Sequence, residues 1–155
     1  MDDRPTATDA AALIEQARSV LDAAYVPYSE YRVGAAVLTQ DGSIFTGCNV
    51  ENANYSNSLH AEEVAVGSAV RAGHRSLVAV AVTSAARDGV TPCGMCRQTL
   101  AEFGEEDVPV YCDEGDGEWT EHLLGDLVPD TITPDMLGVN PAADVGDGAD
   151  GDSDE

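Results

Sequence analysis

The chain has 155 residues, of which 43% are hydrophobic, and a formal net charge of −22 at pH 7. Its length fits one ordinary domain and its apolar content is enough for a core, which excludes a wholly disordered protein. The excess of 29 acidic over 7 basic residues would repel nucleic-acid phosphates and anionic lipids, so we expect neither nucleic acid nor membrane as a partner.

The terminal and apolar patterns indicate where the protein works. No apolar run approaches the roughly 20 residues that cross a bilayer. The first residues, MDDRPTATDAAA, lack the basic and apolar regions of a signal peptide. We therefore expect a cytoplasmic protein, whose four cysteines are reduced and are used for metal binding or catalysis rather than for disulfides.

Apolar periodicity and turn residues predict the elements. The first is a helix over residues 6–24, where Thr6 and Asp9 have the spacing of a capping box. The Asp41-Gly42 pair predicts a hairpin turn between the first two strands. The elements after the first helix are strands at 33–39 and 43–48, a helix at 60–72, a strand at 77–83, a helix at 94–103, a strand at 108–112 and short helices over 119–137.

Strands that alternate with helices after an opening hairpin predict an α/β fold, a three-layer α/β/α sandwich with a mixed central sheet. Right-handed crossovers would bring the helix starts near residues 60 and 94 to one side of this sheet. The last 15 residues hold six acidic and no basic side chains. We expect a catalytic domain over residues 1–139 and a disordered acidic tail over 140–155.

The segment TPCGMCRQ places Cys93 and Cys96 in a C-x-x-C pair at the start of a predicted helix. Two thiols at this spacing can bind one metal ion, and a helix N-terminus stabilises thiolates. A thioredoxin-like redox pair is the competing interpretation. The upstream segment SLHAEE favours the metal, because His60 also opens a predicted helix and would give Zn²⁺ three protein ligands.

Three ligands leave a fourth position open, which is typical of catalytic rather than structural zinc. A catalytic site also needs a group that moves protons, and Glu62 lies two residues after His60. The combined pattern H-x-E and P-C-x-x-C is the known signature of zinc-dependent nucleobase deaminases. A non-catalytic zinc or redox module would instead predict a fourth ligand, which the spacing does not offer.

Two stretches carry a specific family resemblance: AYVPYSEYRVGAAVLTQDGSIFTGCNVENANYSNSLHAEE and PCGMCRQTLAEFG. With these stretches the chain resembles the cytidine deaminases. The resemblance implies hydrolytic deamination of cytidine and deoxycytidine to uridine and deoxyuridine, with release of ammonia, as a step of pyrimidine salvage. It also implies a Zn²⁺ cofactor and a small nucleoside as the substrate.

The resemblance assigns roles to individual residues. His60, Cys93 and Cys96 would hold zinc, and Glu62 would shuttle protons between the attacking water, the ring nitrogen and the leaving amine. The substrate contacts that it implies are Asn49 and Glu51 at the ribose hydroxyls, the backbone of Ala61 at the pyrimidine, and Tyr31 packed near the substrate.

One departure from the shorter family members concerns the metal ligand. Many of them have C-A-E-R, whereas this chain has His60 as the ligand and Glu63 in place of the arginine. We hypothesise that Glu63 accepts a hydrogen bond from the His60 imidazole or pairs with Arg97, and a plain surface acid is the alternative. We expect Arg97, which directly follows Cys96, to donate to the thiolates.

A second departure concerns assembly. Short members carry L-L-P-x-x-F, whose Phe reaches a neighbouring subunit's site, and this chain has Ile132 there, in DLVPDTI. From the length we expect a homotetramer, with a dimer as the alternative.

Two other functions share parts of this pattern. A deaminase of a modified or antibiotic cytosine nucleoside would differ around Asn49 and Glu51. A tRNA or single-stranded DNA editor would carry a basic groove, which a net charge of −22 opposes.

The acidic surface also predicts a halophilic source. Raising KCl from about 0.1 M to about 1 M shortens the Debye length from about 10 Å to about 3 Å, which screens the repulsion between carboxylates. We expect thermal unfolding, followed by circular dichroism, to shift to higher temperature over this range. Sucrose, which is excluded from protein surfaces but screens no charge, serves as the control. Equal stability in dilute and concentrated KCl would contradict this prediction.

Overall fold

The computed structural model describes residues 7–141, so Thr6 of the predicted capping box and residues 142–155 of the predicted tail lie outside the described part. The helices and strands of this part are α1 (Ala7–Arg18), β1 (Val33–Thr39), β2 (Ile44–Cys48), α2 (Ala61–Arg71), β3 (Leu77–Ser84), α3 (Gly94–Phe103), β4 (Pro109–Gly115), β5 (Glu118–Leu123) and α4 (Leu124–Leu127).

The strands form one mixed sheet in the order β2-β1-β3-β4-β5. β1 pairs antiparallel with both β2 and β3, β3 pairs parallel with β4, and β4 pairs antiparallel with β5. The β1–β2 hairpin turns at Gly42, whose φ of 90° lies in the left-handed region that glycine favours. The predicted α/β fold with a mixed sheet is confirmed.

The central strands alternate between two helical layers. Ala36 and Ala81 pack in the cluster that holds α1 against the sheet. Val37 and Val80 pack in the opposite cluster, against α2 and α3. This alternation is the two-residue period of a strand that is buried on both faces. It produces the predicted three-layer arrangement.

The first helix is shorter than predicted. α1 ends at Arg18, and Leu21–Ala23 form a separate 3₁₀ turn. The hydroxyl of Ser19 donates to the Gln16 carbonyl over 2.6 Å, and that carbonyl would otherwise accept the next helical hydrogen bond. Competition of this kind by serine is a common reason for a helix to end.

The prediction of short helices over residues 119–137 is wrong at its start, because Glu118–Leu123 form β5. The Asp116-Gly117 turn directs this strand back along β4, with φ of 54° and 78° at its two residues. Positive φ at both central residues is the requirement of a type I′ hairpin turn. Short helices do follow, at Leu124–Leu127 and Pro134–Leu137.

A buried ion pair fastens α1 to β4. The Asp113 carboxylate is fully buried and accepts two hydrogen bonds from the Arg18 guanidinium, of 2.6 and 2.7 Å. It also accepts from Thr83 Oγ1 over 2.7 Å and from the N–H of Gly115 over 2.8 Å. Burial acts to raise the pKa of Asp113, but these hydrogen bonds outweigh it and hold the pKa at about 2.

We therefore expect Asp113→Asn to lower the free energy of unfolding by about 3 kcal/mol near neutral pH, because it leaves a partly buried arginine without its counterion. Glu15→Gln is the matched control, since Glu15 pairs with the same arginine at 3.5 Å but is exposed, and it should cost under about 0.5 kcal/mol.

The loss of unfolding free energy caused by Asp113→Asn should also depend on pH. Asp113 has a lower pKa in the folded than in the unfolded state, so its contribution is present above about pH 4. It is lost as the pH falls toward about 2. Urea unfolding at fixed KCl across this range measures it, and a deficit that did not change with pH would contradict the assignment.

Candidate active site

Two helices begin at the same edge of the sheet. α2 follows β2 and α3 follows β3, and these two strands run in the same direction because both are antiparallel to β1. Connections that leave the carboxyl ends of such strands meet at one edge, where α/β proteins commonly bind ligands. His60 is the N-cap of α2, and Cys93 is the N-cap of α3.

A glycine lets α2 approach the sheet closely. A Cβ atom at Gly47 of β2 would lie 2.3 Å from the Ala61 carbonyl oxygen and 2.4 Å from the Ala65 nitrogen. Any larger residue would push the first turn of α2 away from β2. The position of His60 therefore depends on Gly47, which lies 13 residues earlier in the chain.

The structure brings the three predicted metal ligands together. His60 Nδ1 lies 3.2 Å from the Sγ atoms of both Cys93 and Cys96, and the three donor atoms all lie within 4.8 Å of one another. Within residues 7–141 they are the one group of three or more potential ligands that is this close. One imidazole and two thiol groups at this spacing suit Zn²⁺.

Glu62 adjoins this trio. Its side chain is buried, with 5% exposure, and its Oε2 atom lies 3.0 Å from Cys96 Sγ. Burial, together with the nearby Glu62 carboxylate, raises the pKa of the Cys96 thiol. A cation held by the trio would offset both effects, so the donor set fits a bound Zn²⁺.

His60 and Cys93 lie on the wall of a cleft of about 300 Å³, a size that suits a small-molecule ligand. All four residues that the family resemblance assigned to the substrate line it, together with two of the metal ligands and Glu62. The lining residues include Ser29, Tyr31, Val33, Asn49, Glu51, His60, Ala61, Glu62, Val90, Thr91 and Cys93.

Glu51 is held in place by backbone donors. Its Oε1 atom accepts hydrogen bonds from the N–H groups of Tyr28 and Ser29, each of 3.0 Å. Hydrogen bonds from Ser29 and Tyr28 lower the pKa of Glu51, which keeps it an ionised acceptor. No local sequence pattern indicates this support, because 22 residues separate Ser29 from Glu51.

Asn49 uses its side chain to shape the cleft. Its Nδ2 atom donates to the Tyr31 carbonyl over 2.8 Å, and its Oδ1 atom accepts from the N–H of Val33 over 2.9 Å. The amide therefore fixes the segment that leads into β1.

The structure gives Glu63 a partner that differs from both hypothesised ones. Its Oε1 atom accepts a hydrogen bond from the backbone N–H of His60 over 2.9 Å. This is the contact of an N3 glutamate in a capping box. Neither the imidazole nor Arg97 is the partner in this hydrogen bond.

Arg97 also differs from expectation, because its three hydrogen bonds go to oxygen atoms rather than to sulfur. Nε donates to the Pro92 carbonyl over 2.7 Å, Nη1 to the Leu127 carbonyl over 2.9 Å, and Nη2 to Thr91 Oγ1 over 3.3 Å. The guanidinium thus ties the loop that precedes α3, and carries Cys93, to the end of α4.

Comparisons with known proteins agree with this geometry. Residues 7–112 match the family model of the cytidine and deoxycytidylate deaminase zinc-binding region. The cytidine deaminase of Sporosarcina psychrophila is 41% identical over 129 residues, which cover 83% of this chain and 95% of that protein. The cytidine deaminase of Mycobacterium tuberculosis strain H37Rv is 41% identical over 114 residues, 74% of this chain and 82% of that protein.

Among solved structures, the 1.6 Å crystal structure of cytidine deaminase from Burkholderia pseudomallei is 42% identical, with a TM-score of 0.74, and the match covers 78% of this chain and 97% of that one. The chain therefore belongs to the cytidine and deoxycytidylate deaminase family. The zinc-binding region that defines the family includes His60, Cys93 and Cys96.

The capping contact yields a prediction about metal affinity. Glu63→Ala removes the acceptor that orients the backbone of His60, so we expect zinc affinity, measured by competition with a chelating dye, to fall about tenfold. Glu63→Gln is the matched control, because glutamine also serves at N3 of a capping box, and its affinity should stay within about twofold. Equal affinities for the two variants would contradict this role.

Proposed function

We propose that this chain catalyses the zinc-dependent hydrolytic deamination of cytidine and deoxycytidine to uridine and deoxyuridine, with release of ammonia. The observation that carries the proposal is the convergence of His60, Cys93 and Cys96 beside the buried Glu62, at a cleft that His60, Glu62 and Cys93 line. The similarity to cytidine deaminases at about 40% identity over most of the chain supports it.

Glu62 moves the protons of the reaction. Zn²⁺ held by the trio supplies the Lewis acidity that makes water a nucleophile near neutral pH. Glu62 takes a proton from the attacking water and delivers it to N3 of cytosine, which makes C4 electrophilic. It then carries a proton to the departing amine, so that water and cytidine become uridine and ammonia. Its burial keeps bulk water away from these transfers.

The other cleft residues orient the nucleoside. Glu51, ionised and held by backbone donors, accepts hydrogen bonds from ribose hydroxyls, and Asn49 contributes at the same end of the cleft. The backbone at Ala61 holds the pyrimidine edge, and the ring of Tyr31 packs beside the base. Two backbone N–H groups donate to Glu51 and hold its carboxylate at the cleft. An acceptor held in this place supports an ordinary ribose as the ligand.

Two alternatives make different predictions. A deaminase of an antibiotic or modified cytosine nucleoside would share zinc and Glu62 but would not need Glu51 at the sugar. A structural zinc module would surround the ion with four ligands, whereas the close group within residues 7–141 has three members. The open position favours catalysis.

We further propose a cytoplasmic homotetramer, with a catalytic domain over residues 1–139, an acidic tail and adaptation to high salt. Exposed aromatic side chains support the assembly: Tyr25, Tyr28 and Tyr55 are 56%, 46% and 74% exposed. Ile132 is 55% exposed and could contact a neighbouring subunit's cleft. Within residues 7–141 no helix is long and apolar enough to cross a membrane. Light scattering in high KCl measures the subunit number.

Glu62→Gln tests the chemistry. General acid–base catalysis contributes about 10²–10⁴-fold, so we expect kcat to fall by at least about 100-fold while each chain still binds one zinc ion. The loss of cytidine absorbance measures turnover, and a colorimetric assay of unfolded protein measures zinc. Glu102→Gln, an exposed acid on α3, is the charge-matched control and should turn over normally.

Assays with deoxycytidine and with free cytosine as substrates show whether turnover requires the sugar. An assay with a zinc chelator shows whether turnover requires the metal. Failure of the wild type to consume cytidine in both low and high KCl would overturn the proposed function. Near-normal turnover by Glu62→Gln would overturn the proposed role of that residue alone.

A further inference from the structure

Tyr31 lines the cleft, and its hydroxyl forms a hydrogen bond with the carboxylate of Asp88, which is not among the cleft residues. The phenol oxygen lies 2.8 Å from Asp88 Oδ2 and 3.0 Å from Oδ1, and it donates to this carboxylate. The two residues are 57 positions apart in the chain. A phenylalanine at position 31 has no hydroxyl and could not make this contact.

Asp88 is itself fixed in position. The hydroxyl of Ser84, at the end of β3, donates to Asp88 Oδ1 over 2.7 Å. Asp88 follows a turn that is closed by a hydrogen bond of 3.0 Å from the N–H of Arg87 to the Ser84 carbonyl. On its other side the N–H of Gly89 donates to the Asp113 carbonyl over 3.0 Å. The carboxylate is therefore presented from a turn that is anchored on both β3 and β4.

The hydrogen bond joins the two walls of the cleft. One wall is the segment that leads into β1 together with the first residue of that strand, namely Ser29, Tyr31 and Val33. The other wall is the loop after β3, with Val90 and Thr91. The second wall also carries the metal ligand Cys93. A flexible phenol could rotate out of the cleft, whereas one that is bonded at its far end keeps its ring plane fixed.

We propose that Asp88 is a positioning residue, which holds the ring of Tyr31 at the angle and distance that a planar pyrimidine requires. This rests on the proposed function, because the ring has meaning only if a nucleobase occupies the cleft. A ring that is fixed before the substrate binds costs no ordering free energy at binding. Loss of the contact should therefore raise KM more than it lowers kcat.

A double-mutant cycle tests the proposal. With Tyr31 present, Asp88→Ala removes the carboxylate that binds both the Tyr31 and the Ser84 hydroxyls, and we expect KM for cytidine to rise about tenfold with kcat within about threefold. Asp88→Asn keeps an acceptor for both Ser84 and Tyr31 and should restore KM to within about threefold. In a Tyr31→Phe background, Asp88→Ala should cause no further rise, because the bond is already gone.

The controls separate positioning from damage to the loop. Zinc content and the unfolding midpoint of each variant report on Cys93 and on the fold. A rise in KM that is the same with Tyr31 as with Phe at that position would overturn the proposal, because Asp88 would then act through the loop. Normal kinetics for Asp88→Ala would overturn it as well. A wild type without turnover would overturn the proposed function and this inference together, so the two failures are distinguishable.

Discussion

The site depends on the direction in which two strands run. β2 and β3 lie on either side of β1 and are both antiparallel to it, so their carboxyl ends share one edge. The chain must therefore start α2 and α3 beside each other, although the ligands His60 and Cys93 are 33 residues apart. Both helix N-termini then direct their positive dipole ends at the trio, which favours thiolates and carboxylates there.

The buried Asp113 connects the edge that holds the site with α1 on one face of the sheet. Its side chain fastens α1 through Arg18 on one face of the sheet, while its carbonyl accepts the N–H of Gly89 in the loop after β3. That loop holds Asp88 and then Cys93. A residue outside the cleft thus supports one cleft wall and the ligand-bearing segment together, so a loss of stability at this position also disturbs the site.

The sequence predicted best what local patterns determine. The predicted bounds of β1 and α3 match the structure, because the Asp41-Gly42 turn follows β1 and Pro92 lies just before α3. The Asp116-Gly117 pair is a turn signal for β5, but the strand itself, EWTEHL, is too polar to be predicted from its own residues. Its pairing with β4 stabilises it. The contact between Tyr31 and Asp88 could not be predicted, because only the finished fold brings residues 57 positions apart together.

The burial of Glu62 places an acidic side chain where it costs stability. A carboxylate with 5% exposure loses most of its hydration, and the cost of this is several kcal/mol unless a charge or hydrogen bonds compensate it. The nearby group is the thiol of Cys96. Burial and this same carboxylate both raise the pKa of that thiol. The thiol donates one hydrogen bond to this carboxylate, and the N-terminus of α2 adds its positive dipole end. Zn²⁺ held by the trio would supply a further compensating charge. Zinc binding would therefore also stabilise the fold at this edge of the sheet.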